Sequence, residues 1–376
     1  MTNNPLWPRA LIVGGGIGGL AAAMALRRAG CDVDLVEIKP AWAQSGVGII
    51  QPANALRALD TLGVAQDCLA AGFAYDGYDY MTADGTPLND FAGPRAAPHL
   101  PAYNGILRSR LHDILLRGAR AAGARLQLGT TVVELYQTQE GAHVTLSDGT
   151  QRDYALVVAA DGIYSPLRHR LHGQRFVPTA TGQSVWRLTL PRPPAMRRGV
   201  MMLGESRKAG FIPLNDDSMY LLLVTQEAPG VQFSAEELPR LLLERLAGFG
   251  GLVEHTRQYV QADSAVVYRP LEVVTLDAPW HTGRVVFIGD AAHASTPHLG
   301  QGAAMAIEDA VVLGELVGAG ADPARLGDDY MGRRHARARE IQDASFTIGE
   351  YEQGRRPGLD LAALLQRTRH RAVEPI

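Results

Sequence analysis

The N-terminal part of the chain changes its apolar period three times. Ala10–Val13 is a short unbroken apolar run, "GGGIGG" is a turn, "LAAAMALRRAG" is a row of helix formers closed by glycine, and "VDLVE" alternates. Such a succession predicts strand, tight turn, helix and strand, a βαβ unit. From 104 to 123, "NGILRSRLHDILLRGARAAG" carries Leu or Ile near helical spacing and stops at Gly123. The segment that follows reads as short strands separated by Glu-Gly and Asp-Gly turns. Its last run, "ALVVAADG", is continuously apolar, as a strand buried on both faces would be. Between 176 and 266 strand-like pieces dominate ("SVWRLTL", "AGFIPL", "SMYLLLV", "SAVVY"), with one helical pattern among them, "SAEELPRLLLERLAGFG". Residues 73–103, rich in Tyr, Pro and Gly, read as a second excursion into that region, and after "FIGD" the pattern is helical again. The expectation is an α/β chain in three parts. Residues 1–72, 104–175 and 267–345 form a discontinuous nucleotide-binding domain. Residues 73–103 and 176–266 form an inserted, mainly antiparallel β-sheet domain, and 346–376 form a C-terminal helical tail.

Composition narrows the class of function. A chain of 376 residues exceeds one ordinary core, which favours two domains. With 46% hydrophobic and 20% charged residues and a formal net charge of -3, nothing calls for nucleic acid or an anionic membrane. The basic stretches "RLHGQR" and "GRRHARARE" read as solvated helix faces. Cys31 and Cys68 read as small buried hydrophobes rather than a staple. No basic region precedes an apolar stretch at the N-terminus, and the apolar run 10–26 is broken by glycines. Neither a signal peptide nor a membrane helix is expected, and the expected compartment is the cytoplasm.

Three motifs carry chemistry. In Gly14-x-Gly16-x-x-Gly19, Gly14 permits the tight turn, Gly16 lets a pyrophosphate approach the backbone, and Gly19 lets helix and strand pack closely. The N-terminus of the helix that follows aims N–H groups at the phosphates, with Ile17 among the candidate cofactor residues, and Glu37, at the end of the next strand, accepts from an adenosine ribose. This predicts a bound dinucleotide without separating FAD from NAD. The second motif is Asp161-Gly162 at the end of "ALVVAADG", with Arg168 a turn later; the third is Gly289-Asp290, followed by "AAHASTPHLGQGAAMAIEDA". The order and spacing of the three resemble the FAD-dependent aromatic monooxygenases of the para-hydroxybenzoate and salicylate hydroxylase type, over residues 9 to 345. "GVGIIQPANALRALDTLG" and Arg108 in "LRSRLHDILL" resemble standard elements of that family too.

The resemblance implies a Rossmann-like FAD-binding domain of the glutathione reductase type with an inserted, mainly antiparallel substrate domain. Glu37 would hold the adenosine ribose, with Ile38, Lys39 and Val132 at the adenosine end. Arg108 would contact the pyrophosphate or ribityl region, Asp290 the ribityl hydroxyls, and Asp161, Gly162 and Arg168 the pyrophosphate side and the path of the nicotinamide cofactor. Val47 and Gly48 would flank the isoalloxazine. Gly300, Gln301, Gly302 and Ala303 would bring a helix N-terminus to its pyrimidine end, where reduced flavin carries negative charge. His298 would deprotonate or orient a phenolic substrate, or else only pack its loop; His293 would hold the loop by hydrogen bonds. Ile50, Pro297, Arg187, Lys208, Phe211 and Tyr220 are the candidate pocket residues. The activity implied is NAD(P)H- and O2-dependent hydroxylation of a small aromatic or heteroaromatic molecule through a flavin hydroperoxide, with no metal. The alternatives are a related FAD oxidoreductase that does not hydroxylate and a non-enzymatic flavin redox sensor. A helix beyond 345 could serve a homodimer.

Overall fold

The computed structural model describes residues 6–42, 47–277 and 279–376. Its central layer is a six-stranded sheet. Arg9–Val13 lies between Asp32–Glu37 and Leu156–Ala159 and pairs with both in parallel; Arg125–Leu128 adds beyond the first and Val285–Phe287 beyond the second. A short antiparallel edge, His281–Thr282, completes it. The inner strands are apolar on both faces because helices cover both, and the largest buried cluster of the molecule runs through them. Two helices pack here through small residues. A Cβ on Gly314, in helix Gly302–Gly318, would sit 2.7 Å from Ala25 Cβ in helix Ile17–Arg28, and one on Gly18 would sit 3.2 Å from Ala306 Cβ. Cys31 and Cys68 are free and buried, and burial pushes their thiols up to about 12 and about 11.

A second, seven-stranded sheet lies apart from the first. Its order is Val267–Val273, Thr179–Pro191, Ser218–Gln226, Lys208–Pro213, Gly199–Leu203, Gly77–Thr82 and Pro87–Ala92. All its pairings are antiparallel except Gly77–Thr82 with Gly199–Leu203. Side chains alternate cleanly. Trp186, Leu188, Phe211, Leu221 and Leu223 face the helices Leu238–Arg245 and Gly251–Arg257, where they form a separate core. Arg187, Lys208, Tyr220 and Leu222 fall on the other face.

Three expected boundaries shift. Val267–Val273 pairs with Thr179–Pro191, so the chain leaves the second sheet only after Val273 rather than at 266. Tyr103–Leu107, at the start of a stretch with helical spacing, is a strand that pairs with Gly48–Pro52 and Phe73–Tyr75; the helix begins at Arg108. Leu326–Glu352 is one 27-residue helix, so no break falls at 345; it runs on through Gly349, which is buried. The C-terminal helix, Leu361–Val373, follows, capped by Asp360, whose carboxylate accepts from the Ala363 N–H at 2.9 Å.

Candidate active site

The fingerprint glycines are required by different neighbours. Gly14 has φ +110°, and a Cβ there would sit 2.3 Å from the Ala160 carbonyl oxygen; a Cβ on Gly19 would sit 1.9 Å from the Gly14 carbonyl oxygen. The protein itself demands both. Gly16 has φ -75° and ψ -174°, open to any residue, and nothing lies within 4 Å of its missing Cβ. That open space faces a helix whose first turn has neither a side-chain cap nor an acid, so the first N–H groups, from Ile17 onward, are uncommitted. Glu37 is fixed beside the loop: one oxygen accepts from the Gly15 N–H at 2.7 Å and the other from the Lys39 N–H at 2.9 Å. Ile38 is 63% exposed and can only cover a ligand's edge, whereas the Val132 side chain is packed in the core. His112 has no motif to mark it, yet its Nε2 lies 2.9 Å from the Gly15 carbonyl oxygen and its ring meets Trp42.

Asp161 follows the strand Leu156–Ala159. Its Oδ2 accepts from the Leu167 N–H at 3.1 Å, while Oδ1 is buried without a partner among the described residues, and burial raises its pKa. Arg168 requires a correction. It is 2% exposed, and its guanidinium donates to the carbonyls of Phe176, Ala291 and Ile163. With three of its N–H groups given to backbone oxygens, it braces the helix Pro166–His172 against the helix Asp290–His293 rather than lying open beside Asp161.

Asp290 is open to solvent yet surrounded by protein, as a residue on the floor of a cleft must be. That enclosure raises its pKa, and His293 and Arg108 pull it back down. The missing Cβ of Gly302 lies 4.0 Å from Asp290 Oδ1, so the fold brings the third motif and the Gly-Gln-Gly turn together. Behind them sits a buried charge network. Asp309 Oδ2 accepts from the Gly289 N–H at 2.9 Å and from His293 Nε2 at 2.7 Å, and Oδ1 accepts from Arg334 Nε at 2.8 Å. Burial would raise the Asp309 pKa, but His293 and Arg334 hold it well below the usual carboxylate range. His293 thus holds the loop.

Gly300 has φ +64°, Gln301 Oε1 accepts from Asn54 Nδ2 at 2.9 Å, and the helix Gly302–Gly318 begins with no side-chain cap and no acid in its first turn, which leaves N–H groups near Ala303 free. A cavity of about 110 Å³ adjoins this turn. Ile50, Pro297, His298, Lys208 and Leu222 line it, with Tyr103 and the C-terminal helix. A space of that order is enough for an aromatic ring.

Lys208 and His298 meet through a residue that no motif announced. Glu352, in the last turn of its long helix, has Oε1 2.6 Å from Lys208 Nζ and Oε2 3.2 Å from His298 Nε2; His298 Nδ1 lies 2.8 Å from the Thr296 hydroxyl. Against its burial, Lys208 and His298 bring the Glu352 pKa down to about 2, while burial and Lys208 lower that of His298. A neutral imidazole, held at Nδ1 by Thr296, therefore stands beside a charged carboxylate.

Arg187 lies near Arg108, Arg269 and Tyr220; burial and the two cations lower its pKa. Tyr220 backs the Val47–Gly48 stretch. A Cβ on Gly48 would sit 2.2 Å from the Tyr220 ring, and burial pushes the phenol up to about 12. Phe211 is a second correction. It is fully buried on the helix-covered face, turned away from the cavity by the alternation that points Lys208 and Leu222 into it.

The profile of the FAD binding domain family matches residues 9–345. The chain is 34% identical over 354 residues to the putative FAD-dependent monooxygenase YetM of Bacillus subtilis, covering 93% of this chain and 95% of that one. This chain belongs to the FAD-dependent aromatic monooxygenases. The monooxygenase is also 34% identical over 358 residues to 2-heptyl-3-hydroxy-4(1H)-quinolone synthase of Pseudomonas aeruginosa, covering 92% of this chain and 90% of the relative. In fold, the monooxygenase matches the crystal structure of Klebsiella pneumoniae HpxO complexed with FAD and uric acid, with a TM-score of 0.83 at 24% identity over 96% of this chain and 93% of that one. Its cofactor is FAD. The residues present suit it: an open position at Gly16, uncapped helix starts at Ile17 and Gly302, and an accessible carboxylate, Asp290, at the floor of the cleft between them. Among the described residues no helix is long and apolar enough to cross a membrane.

Proposed function

We propose that this monooxygenase hydroxylates a small heteroaromatic ring that lies in the cavity between the Pro297–Gln301 turn and the inner face of the seven-stranded sheet. The observation that carries the reading is that Gly300 and Gln301 line that cavity while the next residue, Gly302, has its Cβ position 4.0 Å from Asp290 Oδ1. The two sheets act as separate working parts: the six-stranded layer is the FAD-binding domain and the seven-stranded layer, with residues 77–92 and 179–273, is the substrate domain. FAD, when bound, takes reducing equivalents from NADH or NADPH and delivers oxygen to an electron-rich ring. Gly14, Gly16, Ile17 and Gly19 receive its pyrophosphate, Glu37 and Lys39 its adenosine ribose, Asp290 the ribityl hydroxyls, and Gly302 and Ala303 the pyrimidine end of the flavin, with Arg108 and Asp161 beside the chain that joins them. Val47, Gly48 and Ile50 form the wall on which the ring system rests, which keeps water from the reacting carbon.

His298 orients the substrate. Its Nδ1 is hydrogen-bonded to Thr296 and its Nε2 lies 3.2 Å from a Glu352 oxygen, so it acts by holding Glu352 in place beside Lys208, whose ammonium stands at the cavity as the polar partner for a ring carbonyl or hydroxyl. Because a 34%-identical relative is named a quinolone synthase, 4-quinolones are the first rings to offer. A supply of NAD(P)H supports a cytoplasmic site of action. The test is stoichiometry: FAD-loaded protein given NAD(P)H, O2 and a quinolone should consume both co-substrates in a one-to-one ratio with hydroxylated product. Reduction without product would favour the non-hydroxylating oxidoreductase, and no substrate-dependent reduction would favour a redox sensor.

A further inference from the structure

The C-terminal helix lies outside both sheets, yet six of its residues line the cavity: Leu361, Leu365, Thr368, Arg369, Ala372 and Val373. Their spacing of four, three, one, three and one is a single helical face. The face is apolar in effect. The Thr368 hydroxyl donates back to the Leu364 carbonyl at 2.9 Å, leaving its methyl to the cavity. Arg369 turns its guanidinium aside, 3.6 Å over the Phe91 ring, and donates to the Tyr80 hydroxyl at 2.8 Å. The helix is held in place rather than resting loosely. Arg57 donates to the Val373 carbonyl at 2.8 Å, Arg337 donates to the carbonyls of Glu374 and Pro375, and Leu364 packs on Ala344 and Ile348. Across the cavity stand Ile50, Met201, Leu203 and Leu222. The remaining charges, Lys208 and Glu352, neutralise each other at 2.6 Å.

A ring beside the Pro297–Gln301 turn leaves most of this stripe uncovered. From Leu361 to Val373 the helix advances roughly 18 Å at ~1.5 Å per residue, well beyond the width of one ring. We propose that the face of the C-terminal helix makes this cavity a site for a ring bearing an unbranched apolar arm, with Leu361 and Leu365 setting the arm's length. The proposal rests on the hydroxylase reading of the site and adds the class of substrate to it. The arm lies along the helix between Leu365 and Leu222, and the ring stays at the turn where the flavin reaches it.

The experiment uses the FAD-loaded protein and a matched series of 4(1H)-quinolones with hydrogen, methyl, butyl or heptyl at carbon 2. Binding is read from the perturbation of the flavin spectrum, and turnover from product. Each methylene buried against the stripe should tighten Kd by about threefold to fourfold, until the arm outruns the helix. Leu365→Trp should flatten that dependence, and Leu361→Ala should move the optimum to a longer arm. The flavin spectrum of each variant reports whether it has folded around its cofactor. Binding and hydroxylation of the unsubstituted quinolone with no gain along the series would overturn the arm proposal and leave the hydroxylase reading standing. If no ring of the series perturbed the flavin or gave product, both would fall.

Discussion

At Gly16 and Gly19 the same substitution should have opposite consequences. Gly19→Ala drives a methyl into the Gly14 carbonyl, so the apoprotein itself should lose stability. Gly16→Ala meets no protein atom, so the apoprotein should melt as the parent does while FAD affinity falls, if the methyl enters the space proposed for the pyrophosphate. Melting curves with and without FAD separate the two. His298 gives a pH signature. Its folded pKa is lowered by burial and Lys208, with Glu352 opposing, so below its ordinary value near 6.5 the unfolded chain binds the extra proton and the folded one does not. Stability should therefore fall as pH drops from 7 to 5, and His298→Gln should make that fall shallower. If His298 orients the substrate, the variant should also keep FAD while a smaller share of NAD(P)H consumption ends in product, as peroxide release would report. The places of the fingerprint glycines and of Asp290 were legible in the sequence because a backbone turn or a strand end marks each of them locally. Glu352, Asp309 and His112 were not, because each matters through a partner far along the chain and carries no local pattern.

Among elements, the helix Gly302–Gly318 has two duties. Its N-terminus opens on the cleft, and two turns later Asp309 reaches back to hold the Gly289 N–H and His293. Asp309→Asn keeps the shape but loses one acceptor for two donors, Gly289 N–H and His293, while Arg334 keeps Glu308 at 2.9 Å, so the peptide that carries Asp290 should loosen. We expect at least a tenfold weaker FAD affinity, measured by titration of apoprotein whose far-ultraviolet dichroism is unchanged. Phe211 tests the opposite face of the second sheet. Phe211→Ala should cost about 3–5 kcal/mol of stability, as expected for a large core side chain, and leave the bound flavin's spectrum unaltered. Strand runs in that sheet were legible from their alternation, but their facing was not: "KAGFIP" alternates equally well in either sense, and only the helices packed on Phe211 decide between them.

For the whole molecule, FAD is a stabiliser by mass action. At a hundredfold excess over Kd it should add about 2.7 kcal/mol, and the holoprotein should melt higher than the apoprotein by an amount that grows with FAD concentration. Asp290→Ala should shrink that increment, because hydrogen bonds from the ribityl hydroxyls to a carboxylate are worth about 1.5–3 kcal/mol each. The division of the chain between two sheets could be read from the change of period near 176. The return point could not: Val267–Val273 is apolar enough for either sheet, and its place is settled by pairing with Thr179–Pro191.

The threading of the six-stranded sheet also bears on how the protein is made. Strands enter it from residues 9–13, 32–37, 125–128 and 156–159, but the slot beside Leu156–Ala159 is filled only by Val285–Phe287. While the intervening stretch is synthesised, the growing polypeptide carries an unpaired apolar strand edge, open to pairing with another unfinished copy. Cofactor cannot shield it, since Asp290 and Gly302 emerge from the ribosome later still. Recovery of intact enzyme from cells should therefore depend more on slow translation or chaperone supply than on flavin added to the medium, and truncation before residue 285 should give aggregates rather than a colourless half-protein.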